Sequence, residues 1–444
     1  MRIGSPTAWA SRWRTGYRIE PFRYFAYGWN MWPPQIRSRC PSARLVETAS
    51  IPGWAPVYDK PSTDGSAKLN IRPIPGAFTT GVVYEIDDSG RRALDEAEPR
   101  CRAASVGISG RETLTYTYEG EPTRAMPYDW YVATVIAGAR RHEIPVDGLE
   151  VGTIPDPIAA EVRPATEEDL GSMQAVLSDG LAFGGERYYV HPGDLAWWMY
   201  HTDARATGRV SYWMQGEDGF AVIDSSDPSE ISAFTRPGRP LMPLVRWSQR
   251  RLGDRGELGW VSDDDADLVA NLTREGLGPV STYRSYECDL EGKPIPEPAV
   301  PDGWALRHVR DESEANSRRG ASHAAFESTM DPLTHLDRYL GFMRSPIYDP
   351  ERDLVAVAPD GTIVSFMVWW PDVSGIAQIE PFGTHPDFHR RGVGRALIHY
   401  GLTRMRAGGM RLARVCTDDD RLATAFYESV GFDDVGRLRW WAKV

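Results

Sequence analysis

The segment Phe388–Leu397, FHRRGVGRAL, sets Gly392 and Gly394 on either side of Val393, with His389, Arg390, Arg391 and Arg395 around them. Glycine permits left-handed turns and lets backbone N–H groups come close to whatever sits in the turn. The residues alone allow two readings: an anion cradle at a helix N-terminus, or a helix start that carries exposed arginines. Context favours the first. A strand, GIAQIEPFGTHP, comes immediately before, and Pro381 interrupts it; proline removes a ladder donor, so the strand bends or leaves its neighbour there. From Ala396 to Ala407 the spacing is helical, with Leu397, Tyr400 and Met405 apolar. In a strand–glycine turn–helix unit, free amides and the helix dipole both favour a phosphate group.

The elements that must position this turn follow from the flanking pattern. DLVAVAP and TIVSFMVWW read as two strands joined by an Asp-Gly turn. A chain of 444 residues has room for roughly two to four domains. Proline-rich stretches after Gly152 and Glu291 mark two boundaries. The expected organisation is an extension over 1–17, a first domain over 18–150, a second over 151–290, a linker over 291–302 and a third domain over 303–444. Thr166, with Glu168 and Asp169 behind it, signals a helix start at the head of the second domain. The second and third domains also repeat each other: VSDDDADLVANLTREGLG from Val261 resembles VCTDDDRLATAFYESVGF from Val415, each following a helix with a basic C-terminal half.

Composition limits the function classes. Apolar residues at 41% and charged residues at 25% are ordinary for a globular chain. A formal charge of −12 argues against broad phosphate neutralisation on nucleic acid, though not against one local anion pocket. Cys40, Cys101, Cys288 and Cys416 are far apart without CxxC spacing, and the nine histidines show no ligand spacing, so no metal is expected. No stretch approaches the ~20 apolar residues of a membrane helix. The arginine-containing N-terminal segment lacks a continuous apolar core, so no secretory signal is read and a cytoplasmic location is expected.

The third domain resembles the GCN5-related N-acetyltransferase (GNAT) family over roughly residues 303–444. Its glycine signature is met at Gly392 and Gly394, with His389 where arginine or glutamine is usual. A second signature is met in ATAFYESVGF, at Ala423, Phe426, Tyr427, Gly431 and Phe432. The resemblance implies acetyl-CoA as cofactor, its pyrophosphate held by amides from about Arg390 to Arg395. Phe382, Thr384, His389, Arg390, Arg391, Gly392, Val393, Gly394 and Arg395 are the implied cofactor-binding residues. It implies Tyr427 as the acid that protonates the leaving thiolate and Glu380 as the base that accepts the amine's proton. The second domain then reads as a worn copy: Leu272 stands opposite Tyr427 and no RxxGxG precedes the repeat, so productive acetyl-CoA binding there is not expected.

Residues 22–148 resemble the gamma-glutamylcyclotransferase family. The carrying segments are YFAYGWNM, RCPSARLVETASIPGW, STDGSAKLNI, GVVYEI, LDEAE and PYDWYVATVIAGARRHEIP, in that order. The resemblance implies a mixed β-barrel, so that the whole chain becomes an α/β protein with mixed sheets: a cyclotransferase-like barrel domain followed by two GNAT-fold domains. It also implies Glu98 as a proton-shuttling carboxylate in 5-oxoproline release, with Tyr27, Gly28, Trp29, Asn30 and Tyr128 holding the substrate. Two departures stand out: Trp29 replaces a serine, and Pro99-Arg100-Cys101 replaces a glycine-and-tyrosine stretch. The expected activity is acetyl transfer to a small-molecule amine, with or without release of that amine from a γ-glutamyl conjugate. The alternative is a first domain that only binds and presents the acceptor.

Overall fold

The computed structural model describes residues 21–184, 190–200, 208–226, 228–252 and 256–444. The chain divides into two units, Met1–Thr153 and Ile154–Val444. Among the described residues no helix is long and apolar enough to cross a membrane, and all four cysteines are free thiols.

In the first unit the strands are β1 (Phe22–Ala26), β2 (Arg44–Pro61), β3 (Ala67–Ile86), β4 (Arg102–Ile108) and β5 (Arg111–Thr117). They form a sheet in the order β2-β3-β1-β5-β4, with β1 antiparallel to β3 and parallel to β5. A closed barrel is the expectation that the resemblance carried; among the described residues β2 and β4 are instead the two edges of an open sheet. β2 bends through three register shifts along its pairing with β3, and bulges of this kind bend a strand without closing the ladder. Phe25, Ile51, Ile71, Val83 and Ile108 form the core on one face. Backbone packing is closest at Gly81, where a Cβ would lie 2.3 Å from the Ala26 carbonyl oxygen. The STDGS segment makes the β2–β3 turn: Asp64 Oδ1 accepts from the Ser66 amide at 3.0 Å and its hydroxyl at 2.7 Å, and Gly65 takes a left-handed φ of +85°.

The second unit holds β6 (Val162–Pro164), β7 (Val210–Gln215), β8 (Gly219–Asp224), β9 (Ser229–Thr235), β10 (Gly256–Ser262), β11 (Leu277–Asp289), β12 (Ala305–His308), β13 (Asp353–Val357), β14 (Ile363–Pro371), β15 (Ile376–Thr384), β16 (Leu412–Asp418) and β17 (Asp433–Lys443). They form one twelve-stranded sheet, ordered β12-β13-β14-β15-β16-β11-β17-β10-β9-β8-β7-β6. Two similar halves meet in it. In each, a meander of antiparallel strands ends in a parallel pair, joined by a helix crossover as parallel strands require: β9 with β10 across Met242–Leu252, and β15 with β16 across Val393–Ala407.

The halves trade their last strands. β11, which ends the first half in sequence, pairs with β16 of the other half from Tyr283↔Asp418 to Asp289↔Leu412. β17 pairs with β10, from Leu258↔Trp441 to Ser262↔Leu438. β11 and β17 are also antiparallel partners, and this pairing makes the sheet continuous. β13 is buried along its whole length and β14 for all but its last residue; the buried Asp353 of β13 is paired with Arg318 at 3.0 Å. Helix Val393–Ala407 lays Leu397, Ile398, Leu402 and Met405 against Leu354, Met367, Trp369 and Ile379. The helix start read at Thr166 is a capping box closed by Asp169.

Leu438 is fully buried where β17 faces Ser262 on β10 and Tyr283 on β11. Leu438→Asp would leave a buried charge without a partner at this three-strand junction. The expected loss is about 3 kcal/mol or more of stability for the second unit, read by chemical denaturation; a loss within experimental error would show that the strand exchange contributes little.

Candidate active site

β15 and β16 pair in parallel only through Ile376↔Leu412, Ala377↔Ala413 and Gln378↔Arg414. Beyond Gln378 the strands part. Phe382 and Thr384 pair with Met367 and Ser365 of β14 and share one face, and the ladder shifts register between Met367 and Trp369, beside Glu380 and Pro381. Glu380, Phe382 and Thr384 are partly exposed, while Ile379, Pro381 and Gly383 are buried. The Trp370 indole N–H donates to the Glu380 carbonyl at 2.8 Å and fixes the backbone where the strands separate.

The glycine turn closes one end of the cleft. Gly392 adopts φ +79° and Arg390 φ +60°, both left-handed. A Cβ on Gly394 would come within 2.8 Å of Thr384 Oγ1, so glycine is what lets the helix start approach β15. Val393 directs its side chain into a core with Ala356, Ala358 and Val364, leaving only its backbone for a ligand. Helix Val393–Ala407 has neither a capping side chain nor an acidic residue in its first turn. Its leading amides lack intrahelical acceptors, and the dipole there favours an anion. Such a turn fits a pyrophosphate, and Gly392 to Arg395 are the residues that would hold it.

The basic residues around it have different tasks. Arg395 donates to the Ser429 carbonyl at 2.7 Å and to its hydroxyl at 3.2 Å, tying the turn to helix Arg421–Ser429. Arg391 lies 5.0 Å over the Phe388 ring. Arg390 and Arg391 are exposed. His389, standing where the family signature has arginine or glutamine, donates from Nε2 to the Thr384 carbonyl at 2.9 Å. Thr384 Oγ1 in turn meets Ser365 Oγ at 2.8 Å.

Tyr427 comes from helix Arg421–Ser429 and is 7% exposed. Its ring stands 6.4 Å from Phe382 and 5.9 Å from Tyr286, and Phe382 stacks on Phe426 at 5.4 Å. Burial, then the Glu380 carboxylate and Cys416, push the Tyr427 phenol above the ordinary tyrosine value. It therefore stays protonated at physiological pH. Burial first, then the Asp194 carboxylate, raise Glu380 to about 8. A carboxyl so poised exchanges protons near neutrality, and the two groups together can take one proton and hold another. Asp194, Arg414, Cys416 and Phe426 complete these surroundings. Of these only Phe426 carried a signal in the sequence, through the ATAFYESVGF signature; Asp194, Arg414 and Cys416 were not read as site residues.

The first unit gathers a second set. Glu98 caps the C-terminus of helix Asp88–Ala97. Its carboxylate accepts from Lys60 Nζ at 2.5 Å and lies 3.5 Å from Arg39 Nη1, and the Cys101 thiol donates to it at 3.5 Å. Burial pushes this carboxyl up, but Lys60 and Arg39 outweigh burial and leave it below the usual range. Arg39 also donates to Asn30 Oδ1 at 3.3 Å and lies 4.7 Å over the Trp29 ring. The Trp29 indole rests against Trp130 and Tyr131, so the large side chain is absorbed by an aromatic wall. Gly28 begins the turn Trp29–Met31. Tyr27 donates to the Tyr116 carbonyl at 2.6 Å, and Tyr128 to the Asp64 carbonyl at 2.8 Å. Asn30 and Trp29 thus join Glu98 through Arg39, whereas Tyr128 belongs with Asp64 and its partner Lys68. Arg39 opens the segment RCPSARLVETASIPGW but was not singled out within it, and Lys60 lies outside every segment that carried the resemblance.

Residues 320–432 match the model of the acetyltransferase (GNAT) family. The chain is 27% identical over 241 residues to a mycothiol acetyltransferase of Segniliparus rotundus, covering 49% of this chain and 87% of that protein. It is 30% identical over 245 residues to a mycothiol acetyltransferase of Salinispora arenicola, covering 51% and 76%. A solved gamma-glutamyl cyclotransferase is 24% identical, covers 29% of this chain and 85% of that one, and has a TM-score of 0.27. Both relatives and the family model are acetyltransferases by name: the chain belongs to the GNAT family of acetyltransferases.

Proposed function

We propose that the second unit acetylates the primary amine of a small molecule in the class handled by the mycothiol acetyltransferases it resembles. The observation that carries this reading is the parting of β15 and β16, with Glu380 and Tyr427 bordering the gap and an uncapped helix N-terminus at its end. Bound acetyl-CoA supplies an acyl group activated as a thioester. The amides from Gly392 to Arg395 hold its pyrophosphate, and Glu380 accepts the proton that an ammonium must lose before its nitrogen can attack. Tyr427, kept protonated by burial, holds its proton at Oη for the departing thiolate.

For the first unit, the two cations on Glu98 favour ligand binding over turnover. A shuttle carboxylate must take a proton and return it, and a carboxyl held low by Lys60 and Arg39 is a weak base. The cyclotransferase alternative needs the same Glu98 to be freed.

Four outcomes are expected. Calorimetric titration should show acetyl-CoA binding to the intact chain and none to Gly394→Glu, whose side chain would meet Thr384; equal binding by both would remove the cradle from the mechanism. Tyr427→Phe and Glu380→Gln should each lower kcat about 100-fold or more while acetyl-CoA affinity is kept. Because Glu380 must be ionised to act and sits near 8, kcat/KM should rise with pH through about 8 and level above it; a profile flat between pH 6 and 9 would assign the base elsewhere. Mass spectrometry of γ-glutamyl amines incubated with the intact chain should detect no 5-oxoproline, and Glu98→Gln should leave acetyl transfer unchanged. 5-Oxoproline that disappears in Glu98→Gln would establish the cyclotransferase reading instead.

A further inference from the structure

The half of the second unit that lacks the glycine signature holds a cavity of about 160 Å³ between helix Leu170–Gly184, β9, β10 and helix Ala266–Arg274. It is lined by neither Glu380, Tyr427 nor the glycine turn. Leu177, Val190, Leu258 and Val261 lie in its wall and are at most 2% exposed. Arg239, which is exposed, and Asp265, which is partly exposed, also border it. The floor is therefore apolar and the mouth carries one cation and one anion. Both charges are engaged: Arg239 pairs with Asp218 at 2.8 Å, and Asp265 accepts from the Leu268 amide at 3.0 Å as a helix cap. Protein interiors are close-packed, because an unfilled space forfeits the contacts of its lining. A void of this size calls for an occupant.

The local backbone makes the space. β9 and β10 pair in parallel from Gly256↔Ser229 to Leu258↔Ile231, and the pairing of β10 with β17 shifts register between Leu258 and Val261. Trp260, inside that shift, has φ +63°, a genuine outlier for a bulky residue. Such strain persists where the surroundings impose it, and it clusters at functional sites. Here the ring is held by stacking on Trp198 at 5.6 Å and by Trp440 at 4.8 Å. The counterpart of the glycine cradle is altered as well. Between β9 and the body of helix Met242–Leu252 the chain reads RPGRPLMP from Arg236 to Pro243. Pro240 and Pro243 carry no N–H, and the Leu244 and Val245 amides both bond to the Leu241 carbonyl, at 3.0 and 3.2 Å. The run of donors that fits a pyrophosphate at Gly392 to Arg395 is thus interrupted here, which argues against a second cofactor cleft.

We propose that this cavity binds a small neutral molecule with an apolar body about the size of a benzene ring and one hydroxyl or amide head. An engineered interior cavity of about 150 Å³ takes up benzene, which sets the size of the body. Thr235 Oγ1, at the cavity wall, donates to the Arg239 carbonyl at 3.2 Å and keeps its lone pairs for an O–H or N–H of the ligand. An ionic head would have to compete with Asp218 for Arg239 or face Asp265 across an apolar floor, so the site selects against charge.

Saturation-transfer NMR on the full chain tests this with benzyl alcohol and with benzoate, its anionic counterpart. Benzyl alcohol should receive saturation and benzoate should bind at least about tenfold more weakly, and saturating acetyl-CoA should leave the benzyl alcohol signal unchanged. Ala233 lines the cavity, and Ala233→Phe, which puts a ring into it, should weaken benzyl alcohol binding about tenfold or more. Leu268→Trp, which fills the cavity from helix Ala266–Arg274, serves if the first variant does not fold. No saturation of benzyl alcohol by the intact chain, equal binding of benzoate, or a signal retained in a folded filled variant overturns the site. Displacement of benzyl alcohol by acetyl-CoA would return the cavity to the cofactor and overturn the ligand class.

Discussion

The pairing of β11 with β17 is the constraint on which the second unit rests. Each strand lies between its own half and the other, so removing either would expose backbone donors and acceptors on two neighbours. Unpaired buried peptide groups are costly, and this cost ties the halves more firmly than side-chain packing alone. The joint is rich in large aromatics: Trp260 of β10, Tyr283 of β11 and Trp440 of β17 stand 4.6 to 6.3 Å apart. With the central ladder fixed, the helix at Pro192–Tyr200 has a set position against β14 and β15.

Two electrostatic arrangements in this chain point in opposite directions. Around Glu380 burial and a like charge act together, so the carboxyl holds its proton close to neutrality. Around Glu98 burial is opposed by two cations, so the carboxyl loses its proton early. Both are glutamates implied as bases by family resemblance, and the residues near them, rather than their own identity, separate a proton acceptor from an anion anchored in a salt bridge.

How much of this was legible in the sequence depended on the range of the interactions. Local signals carried over: the capping box at Thr166 with Asp169, the β13–β14 hairpin, and the glycine turn that follows a strand leaving its neighbour. The likeness between the segments at Val261 and Val415 reported two related halves, but it is blind to which sheet the strand after each segment enters. Asp194 was out of reach for the same reason. His-Pro-Gly-Asp reads as an ordinary helix start, and only tertiary packing through Gly193 and Trp370 turns it toward Glu380. The open five-stranded sheet differs from the implied barrel through the bends of β2, which depend on register shifts that residue types alone do not specify.

The exchange of β11 and β17 also sets an order of events during synthesis. Residues through Asp289 leave the ribosome with β10 still lacking the neighbour it has in the finished sheet, because Trp441, Arg439 and Leu438 are made only after the whole of the other half. Pairs so distant in sequence form slowly and leave an open strand edge in the interval. β11 is the nearest available cover for that edge, and its native place is beside β16. A newly made first half must therefore either wait with an exposed edge or pair β10 with β11 and later give that pairing up. Chaperone demand during translation is the place where this architecture would show its cost.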